Sequence, residues 1–170
     1  FFVLSGFVIF YAYHKRVIDY KSGYIFQKRR FLRLYPLHIL TLTLFLTIEI
    51  MKYAFSFEFQ EMAFEKNTFV ALIANIAILQ NFVLPYNTFN NPSWSISAEF
   101  WVYISFIFTS LMYCKFRITT VVILCALLIF IAGFFTISRY ELPGNITGPL
   151  RCFFGFYIGV VMCYLFKKYC

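Results

Sequence analysis

Long runs of apolar residues, separated by short polar stretches, divide the chain into candidate membrane helices. The runs occupy residues 1–13, 34–54, 96–114, 118–138 and 149–166. At about 1.5 Å per residue, the four longer runs approach the roughly 30 Å of a bilayer core, whereas the first would reach only about 20 Å. We therefore predict an all-α, polytopic transmembrane helix bundle with about five spans.

A further apolar run, residues 68–82, is too short for an ordinary span. If it does not cross the membrane, the side that holds the seven basic residues of 15–33 also holds Lys115, Arg117, Lys167 and Lys168. That side then has eleven basic residues, and the other side has three. If it crosses, the counts are eight and six. Because cytoplasmic loops carry the excess of Lys and Arg, we predict that 68–98 is a re-entrant or interfacial segment on the outer side and one wall of a site.

Composition supports a lipid environment for this fold. Hydrophobic residues make up 62% of the chain and charged residues only 13%, against about 25% in soluble domains. The net charge is +8, and seven of the fifteen basic residues lie between Lys15 and Arg33. We interpret them as a cytoplasmic loop, His14 to Arg33, that sets topology beside membrane lipids, and we exclude nucleic acid as a partner. The five cysteines form no CxxC pair, so neither a metal site nor a disulfide is predicted.

Three motifs follow one another along the chain: FFVLSGF at 1–7, RRFLRLYP at 29–36 and NPSWSISAEFWVY at 91–103. Together and in this order they resemble the acyltransferase-3 family of membrane acyltransferases. The third motif is the most specific, because Trp94, Ser95, Glu99 and Tyr103 match together. The resemblance implies that 1–170 is a single transmembrane acyltransferase-like domain. It is expected to be a fragment that lacks a first helix, which leaves open whether further helices follow Cys170.

The resemblance also implies a function. The parent protein would move an acyl group, expected to be acetyl, from acyl-CoA to a hydroxyl of a glycan or lipid-linked sugar. Acyl-CoA would be a donor substrate rather than a bound cofactor. The expected location is the bacterial inner membrane, with the Lys15–Arg33 loop cytoplasmic.

Arg30 and Arg33 are the candidate donor-binding residues. Guanidinium groups three residues apart lie on one helical face, where they can bind phosphate oxygens bidentately. The resemblance supplies the ligand, the phosphates of a donor that arrives from the cytoplasm. The alternative is a topology anchor that contacts only lipid headgroups. Pro36 is expected in the first turn of the following span, where its missing N–H costs little.

Glu99 is the candidate catalytic residue, because a carboxylate near a membrane span is costly and is therefore a functional hypothesis by default. Ser95 and Tyr103 lie four residues to either side and share its helical face. Glu99 could act as a general base or orient a histidine, and it would line the outer part of a passage from the arginines. The alternative is a charge favoured by the helix N-terminus and capped by Ser95 or Ser97.

Further site-lining candidates are Ser5, Trp94, Ser95, Ser97, Tyr103 and Arg151. Ser5, with Gly6, allows close approach either of a ligand or of a neighbouring helix. Arg151 lies near the outer end of the last span, where it could pair with Glu99, bind the acceptor or simply extend to the interface.

The two histidines, His14 and His38, match no family position and are interpreted as boundary residues. The catalytic histidine that the family implies is expected upstream of Phe1. Glu49 and Lys52 are predicted to form a local pair three residues apart.

Two other classes of protein remain open. A transporter or flippase for a lipid-linked sugar would also use intramembrane charges and broken helices, but it should show two halves with matching interrupted spans. A non-catalytic sensor or scaffold would bind headgroups through the basic loop and would not need Glu99.

Overall fold

Helices account for nearly all of the regular structure in the computed structural model. It describes residues 1–55, 64–115 and 147–169, together with Ile131 and Gly133. The helices are α1 (Phe2–Tyr13), α2 (Tyr20–Phe55), α3 (Phe69–Ile76), α4 (Gln80–Val83), α5 (Trp94–Lys115) and α6 (Thr147–Tyr169). No strand occurs within these ranges.

Three of the helices, α2, α5 and α6, contain stretches long and apolar enough to cross a membrane, and α1 is a shorter apolar helix. The predicted all-α membrane bundle is therefore confirmed. Apart from Ile131 and Gly133, the predicted span 118–138 lies outside the described residues, so the total of about five spans stays a prediction.

The basic segment is mostly helix, and the predicted loop from His14 to Arg33 is wrong beyond its first residues. Helix α2 begins at Tyr20, after Asp19. The Asp19 carboxylate accepts the Ser22 N–H at 2.7 Å, and the Ser22 hydroxyl oxygen accepts the Asp19 N–H at 3.1 Å. Hydrogen bonds that the Ser22 side chain and backbone N–H donate to the carboxylate hold the pKa of Asp19 below its ordinary value. Lys and Arg are good helix formers, so the following basic residues continue the helix that this cap begins.

Pro36 lies inside α2 and not in its first turn, contrary to the prediction. A proline in a helix interior removes one backbone hydrogen bond and usually bends or breaks the helix. Here the helix extends from Tyr20 to Phe55 without interruption at the proline. As a result the two arginines before Pro36 lie on the same continuous helix as the apolar span after it.

Helices α1 and α6 run parallel and approach through glycines. A Cβ added to Gly6 would lie 1.9 Å from the Phe156 carbonyl oxygen, and one added to Gly159 would lie 1.9 Å from that of Val3. Further along, the Lys167 ammonium donates to the Tyr11 carbonyl at 3.2 Å. Small residues let membrane helices approach closely enough for backbone contact. The Ser5–Gly6 pair was predicted to allow close approach of a ligand or of a neighbouring helix. Gly6 allows close approach of a helix, α6.

Helix α5 completes this core and runs parallel to α6. Its first residue, Trp94, lies against Gly148, and the rings of Tyr103 and Phe156 are 6.3 Å apart. The side chains buried between the helices of this core include Phe26 and Phe106.

Helix α2 is antiparallel to α5. Gly23 lies against the Ile107 side chain near one end, and the rings of Phe31 and Phe100 are 6.1 Å apart further along. The end of α2 and the start of α5 are therefore at the same end of the bundle. This geometry agrees with the prediction that the segment between them makes no net crossing.

The segment 64–93 forms a hairpin that runs down along α2 and returns. At its start, the Asn67 amide donates to the Glu49 carboxylate at 2.9 Å; at its turn, the His38 ring donates from Nε2 to the Asn75 carbonyl at 2.9 Å. Eleven residues of helix separate these two positions of α2, which corresponds to about 16 Å. The Asn75 amide also donates to Thr88 on the returning arm at 2.8 Å. The geometry is that of a re-entrant segment, which we call the re-entrant hairpin.

Many large apolar side chains of α2 point away from the protein. Leu37, Leu40, Leu44 and Ile48 are all between 47% and 61% exposed. A helix surface of this kind is unstable against water and stable against lipid chains. The described residues thus form part of an integral membrane protein.

Candidate functional site

A pocket of about 280 Å³ lies between α1, α2 and α5. Its walls come from three elements, and the lining residues are Phe1, Leu4, Ser5, Val8, Ile9, Arg30, Arg33, Leu34, Glu99 and Tyr103. One wall is apolar and belongs mainly to α1. The other carries two guanidinium groups, a carboxylate and a phenol, so the pocket suits a ligand with an anionic part and an apolar part.

The pocket brings together five of the predicted site residues: Ser5, Arg30, Arg33, Glu99 and Tyr103. We expected the arginines and Glu99 at the two ends of a passage. The structure instead places them in one pocket, because the antiparallel packing of α2 and α5 sets Phe31 beside Phe100. The ion pair found among the described residues is Glu49–Lys52. Within these residues, no ion pair joins Glu99 to either arginine.

Arg30 lies within a cage of three aromatic rings. Its guanidinium carbon is 5.6 Å from the ring centroids of Tyr13 and Phe26 and 5.4 Å from that of Tyr103. These rings come from α1, α2 and α5, so the guanidinium lies where the three helices meet. Cation–π contacts of this kind contribute about 0.5–2 kcal/mol each, depending on desolvation.

Arg33 has different surroundings from Arg30. It lines the same pocket one helical turn further on, but its side chain is exposed. Within the described part of the chain, no hydrogen bond, ion pair or ring contact of its guanidinium is found. Its donors are therefore free to bind an anion in the pocket.

Glu99 and Tyr103 are joined by a hydrogen bond one turn apart on α5. The Tyr103 hydroxyl donates to Glu99 Oε1, and the Ser5 side chain lies beside the same hydroxyl. Tyr103 is buried, whereas Glu99 is half-buried at the pocket wall. No hydrogen bond to Glu99 Oε2 is found from any residue that the structure describes. One carboxylate oxygen of this pocket-lining residue is thus held by Tyr103.

Four predicted lining residues do not line this pocket. The Ser97 hydroxyl is buried and donates to the Ile78 carbonyl of the re-entrant hairpin at 2.9 Å. The Ser95 hydroxyl donates to the Pro92 carbonyl at 2.9 Å. Neither serine is the N-cap of the helix, because α5 begins at Trp94 and both lie within it.

The remaining two, Trp94 and Arg151, lie in the first turns of α5 and α6, respectively. The Trp94 ring packs at 6.2 Å from the Phe2 ring and against Gly148. The Arg151 side chain is exposed. Helix packing accounts for Trp94, and neither residue reaches the pocket.

Neither histidine lines the pocket. His38 is 1% exposed and donates to the re-entrant hairpin from within α2, so its assignment as a boundary residue is wrong. His14 does follow the end of α1, where burial and the nearby Lys167 ammonium lower the pKa of its imidazole. The predicted Glu49–Lys52 pair is present at 3.0 Å.

The apolar wall and the cage were not predictable from motifs in the sequence. Leu4, Val8 and Ile9 follow helical spacing on α1, but in a helix that is apolar all round no such spacing stands out. Phe26 lies four residues before Arg30, which is a detectable helical pair. Tyr13 could be identified only from the packing of α1 on α2.

These features define a class of protein, a helical integral membrane protein with a cationic, carboxylate-bearing pocket between its helices. The sequence matches the acyltransferase-3 family, described as an acyltransferase domain, over residues 1–170. The chain belongs to this family, and the resemblance of its three motifs is confirmed.

A curated relative gives the family match a second support. The acyltransferase MdmB of Streptomyces mycarofaciens is 34% identical over 110 residues, which cover 62% of this chain and 26% of that protein. The chain thus aligns with about a quarter of the relative's length. No solved structure matches the chain.

Proposed function

We propose that the parent protein is a membrane-embedded acyltransferase that uses acyl-CoA, with acetyl as the group transferred. The acceptor would be a hydroxyl of a glycan or lipid-linked sugar. The observation that carries this proposal is the convergence of Arg30, Arg33, Glu99 and Tyr103 in one pocket. Membership of an acyltransferase family supports the reaction type, and the pocket supports the class of donor.

The guanidinium groups would bind the phosphate groups of the donor. Arg33 has free donors at the pocket and would make the direct contacts, whereas Arg30 is held among the rings and adds positive charge. The apolar side chains of α1 would lie along the pantetheine arm and the acyl group. The thioester carbonyl would then lie within reach of α5.

Glu99 would assist proton removal from the acceptor hydroxyl, either as the general base or as the carboxylate that orients a histidine. The hydroxyl oxygen then forms a bond to the acyl carbon, and the carbon–sulfur bond of the thioester breaks. The departing coenzyme A thiolate takes up a proton. Atoms and charge balance without a metal or a redox partner.

We place the protein in a bacterial inner membrane with the start of α2 on the cytoplasmic side. Basic residues at the start of α2, such as Lys21, Lys28 and Arg29, satisfy the positive-inside rule in this orientation. The donor would then enter from the cytoplasm, and the acceptor would be modified toward the outer side.

The donor assignment is tested by the affinity of the full-length protein for coenzyme A. We expect Arg33→Ala to weaken binding about tenfold or more, because each lost charge-assisted hydrogen bond costs about 1.5–3 kcal/mol. The double variant with Arg30→Ala should bind more weakly still while inserting normally into membranes. Arg29→Ala is the matched control, since Arg29 is exposed on the same helix and does not line the pocket. Unchanged affinity in the double variant would overturn the assignment.

A further inference from the structure

Tyr103 occupies a central position among the polar groups of the pocket. It is 2% exposed, its hydroxyl donates to Glu99 Oε1, and its ring centroid is 5.4 Å from the Arg30 guanidinium carbon. Two separate parts of one side chain thus contact the candidate catalytic carboxylate and a candidate donor-binding cation. Among the described residues, no other is found with both a hydrogen bond to Glu99 and a ring contact to Arg30.

The hydroxyl contact restricts Glu99. A glutamate side chain has three rotatable bonds, and within the described ranges the Tyr103 hydroxyl is the one hydrogen-bond donor found for this carboxylate. The bond occupies Oε1, and no hydrogen bond to Oε2 is found within the described ranges. Loss of the hydroxyl would let the carboxylate rotate among several positions, and misplacement by about 1 Å can cost on the order of a hundredfold in rate.

The ring contact restricts Arg30. The Tyr103 ring is the contribution of α5 to the cage, beside those of Tyr13 and Phe26. Tyr103 itself is fixed by its packing on Phe26 and Phe156, at ring distances of 5.9 and 6.3 Å. A rigid, buried ring therefore sets where the guanidinium lies relative to α5.

We propose that Tyr103 is a positioning residue that fixes the Glu99 carboxylate and the Arg30 guanidinium relative to each other. This inference rests on the proposed function, because it assigns the two groups to one reaction. The hydroxyl serves the transfer step through Glu99, and the ring serves donor binding through Arg30. The hydroxyl can be removed alone, or together with the ring.

The test compares two substitutions in the full-length protein in membranes, with acetyl-CoA as donor and a cell-envelope fraction as acceptor. Tyr103→Phe keeps the ring and removes the hydroxyl. We expect it to lower the transfer rate at saturating donor by about tenfold or more, while the dissociation constant for coenzyme A stays within about twofold. Tyr103→Leu removes both contacts, so it should also weaken coenzyme A binding about three- to tenfold.

Two control variants match these changes in the same core. Tyr157→Phe removes a buried hydroxyl that contacts Ser105 outside the pocket, and Phe106→Leu replaces a buried ring beside Phe26 that does not line the pocket. We expect both to keep the wild-type transfer rate and affinity.

The possible outcomes are distinguishable. An unchanged transfer rate in Tyr103→Phe would overturn the role of the hydroxyl, and equal losses of affinity in Tyr103→Phe and Tyr103→Leu would overturn the role of the ring. A wild-type protein that neither binds coenzyme A nor transfers acetyl would overturn the proposed function, and the coupling role with it.

Discussion

Arg30 and Arg33 show how the fold differentiates two residues that the sequence presents as equivalent. Both lie on one face of α2 and both line the pocket. Arg30 is enclosed by rings from three helices, whereas Arg33 has an exposed side chain. The three-residue spacing was sufficient to predict a shared face, but the cage depends on contacts between helices that are distant in sequence. The i, i+4 pair of Glu99 and Tyr103 was predictable because both residues lie on one helix.

Gly159 tests the close packing of α1 on α6 at the scale of a single residue. An added Cβ would lie 1.9 Å from the Val3 carbonyl oxygen and 2.7 Å from the Phe7 nitrogen, so the backbones would have to separate. We expect Gly159→Ala to lower the stability of the full-length protein in detergent by about 1–3 kcal/mol, measured as a lower thermal midpoint.

A matched substitution at Gly23 controls for the general effect of replacing a helical glycine. Its added Cβ would lie 2.6 Å from the Ile107 Cγ2 methyl, so a side chain and not a neighbouring backbone would have to shift. Alanine also favours helix by about 1 kcal/mol over glycine, so Gly23→Ala should lower the midpoint less than Gly159→Ala does. A Gly159→Ala protein as stable as Gly23→Ala would contradict the described packing.

At the scale of elements, the re-entrant hairpin depends on contacts that its own sequence does not reveal. Phe64, Ile78 and Phe89 adopt positive φ angles of 62°, 58° and 51°, although none of them is Gly or Asn. Such backbone persists only where the surroundings hold it in place. At Ile78 the carbonyl accepts hydrogen bonds from the Ser97 hydroxyl and from the Trp101 indole at 3.0 Å. The motif on α5 therefore serves two purposes, with one face on the hairpin and the other on the pocket.

Removal of both donors to Ile78 should loosen the hairpin. We expect Ser97→Ala combined with Trp101→Phe to increase amide hydrogen exchange across 69–83, while exchange in α1 remains as in wild type. Ser95→Ala is the control, because its hydroxyl donates to Pro92 and not to the hairpin. Equal exchange across 69–83 in the double variant and the control would show that these bonds do not hold the turn.

The helix boundaries show which elements the sequence could predict. The runs 96–114 and 149–166 correspond to α5 and α6 within three residues at each end, because the apolar runs are bounded by polar residues. The start of α2 was missed by fourteen residues, since a dense group of Lys and Arg was interpreted as loop. Charged side chains are compatible with a helix, and here the Asp19 cap and not the charge marks its beginning.

At the scale of the whole molecule, helix direction agrees with the charge-based topology. Helices α1, α5 and α6 run parallel, and α2 runs antiparallel to them. The pocket lies between α2 and its two neighbours α1 and α5. The charge count predicted that 68–82 does not cross, and the hairpin geometry explains how it returns. The pocket itself could not be predicted, because its apolar wall comes from α1 and its charges come from α2 and α5.

The central claim is that the pocket between α1, α2 and α5 holds the donor, and chemical protection of one wall residue tests it most directly. Leu4 lines the pocket and is 66% exposed, whereas Ile18 is 60% exposed on the connection between α1 and α2, outside the pocket. Cysteine would replace each in the full-length protein, and modification by a thiol reagent would be followed by mass spectrometry. We predict that coenzyme A slows modification at Leu4→Cys and leaves Ile18→Cys unaffected. Equal rates at Leu4→Cys with and without saturating coenzyme A would contradict the account.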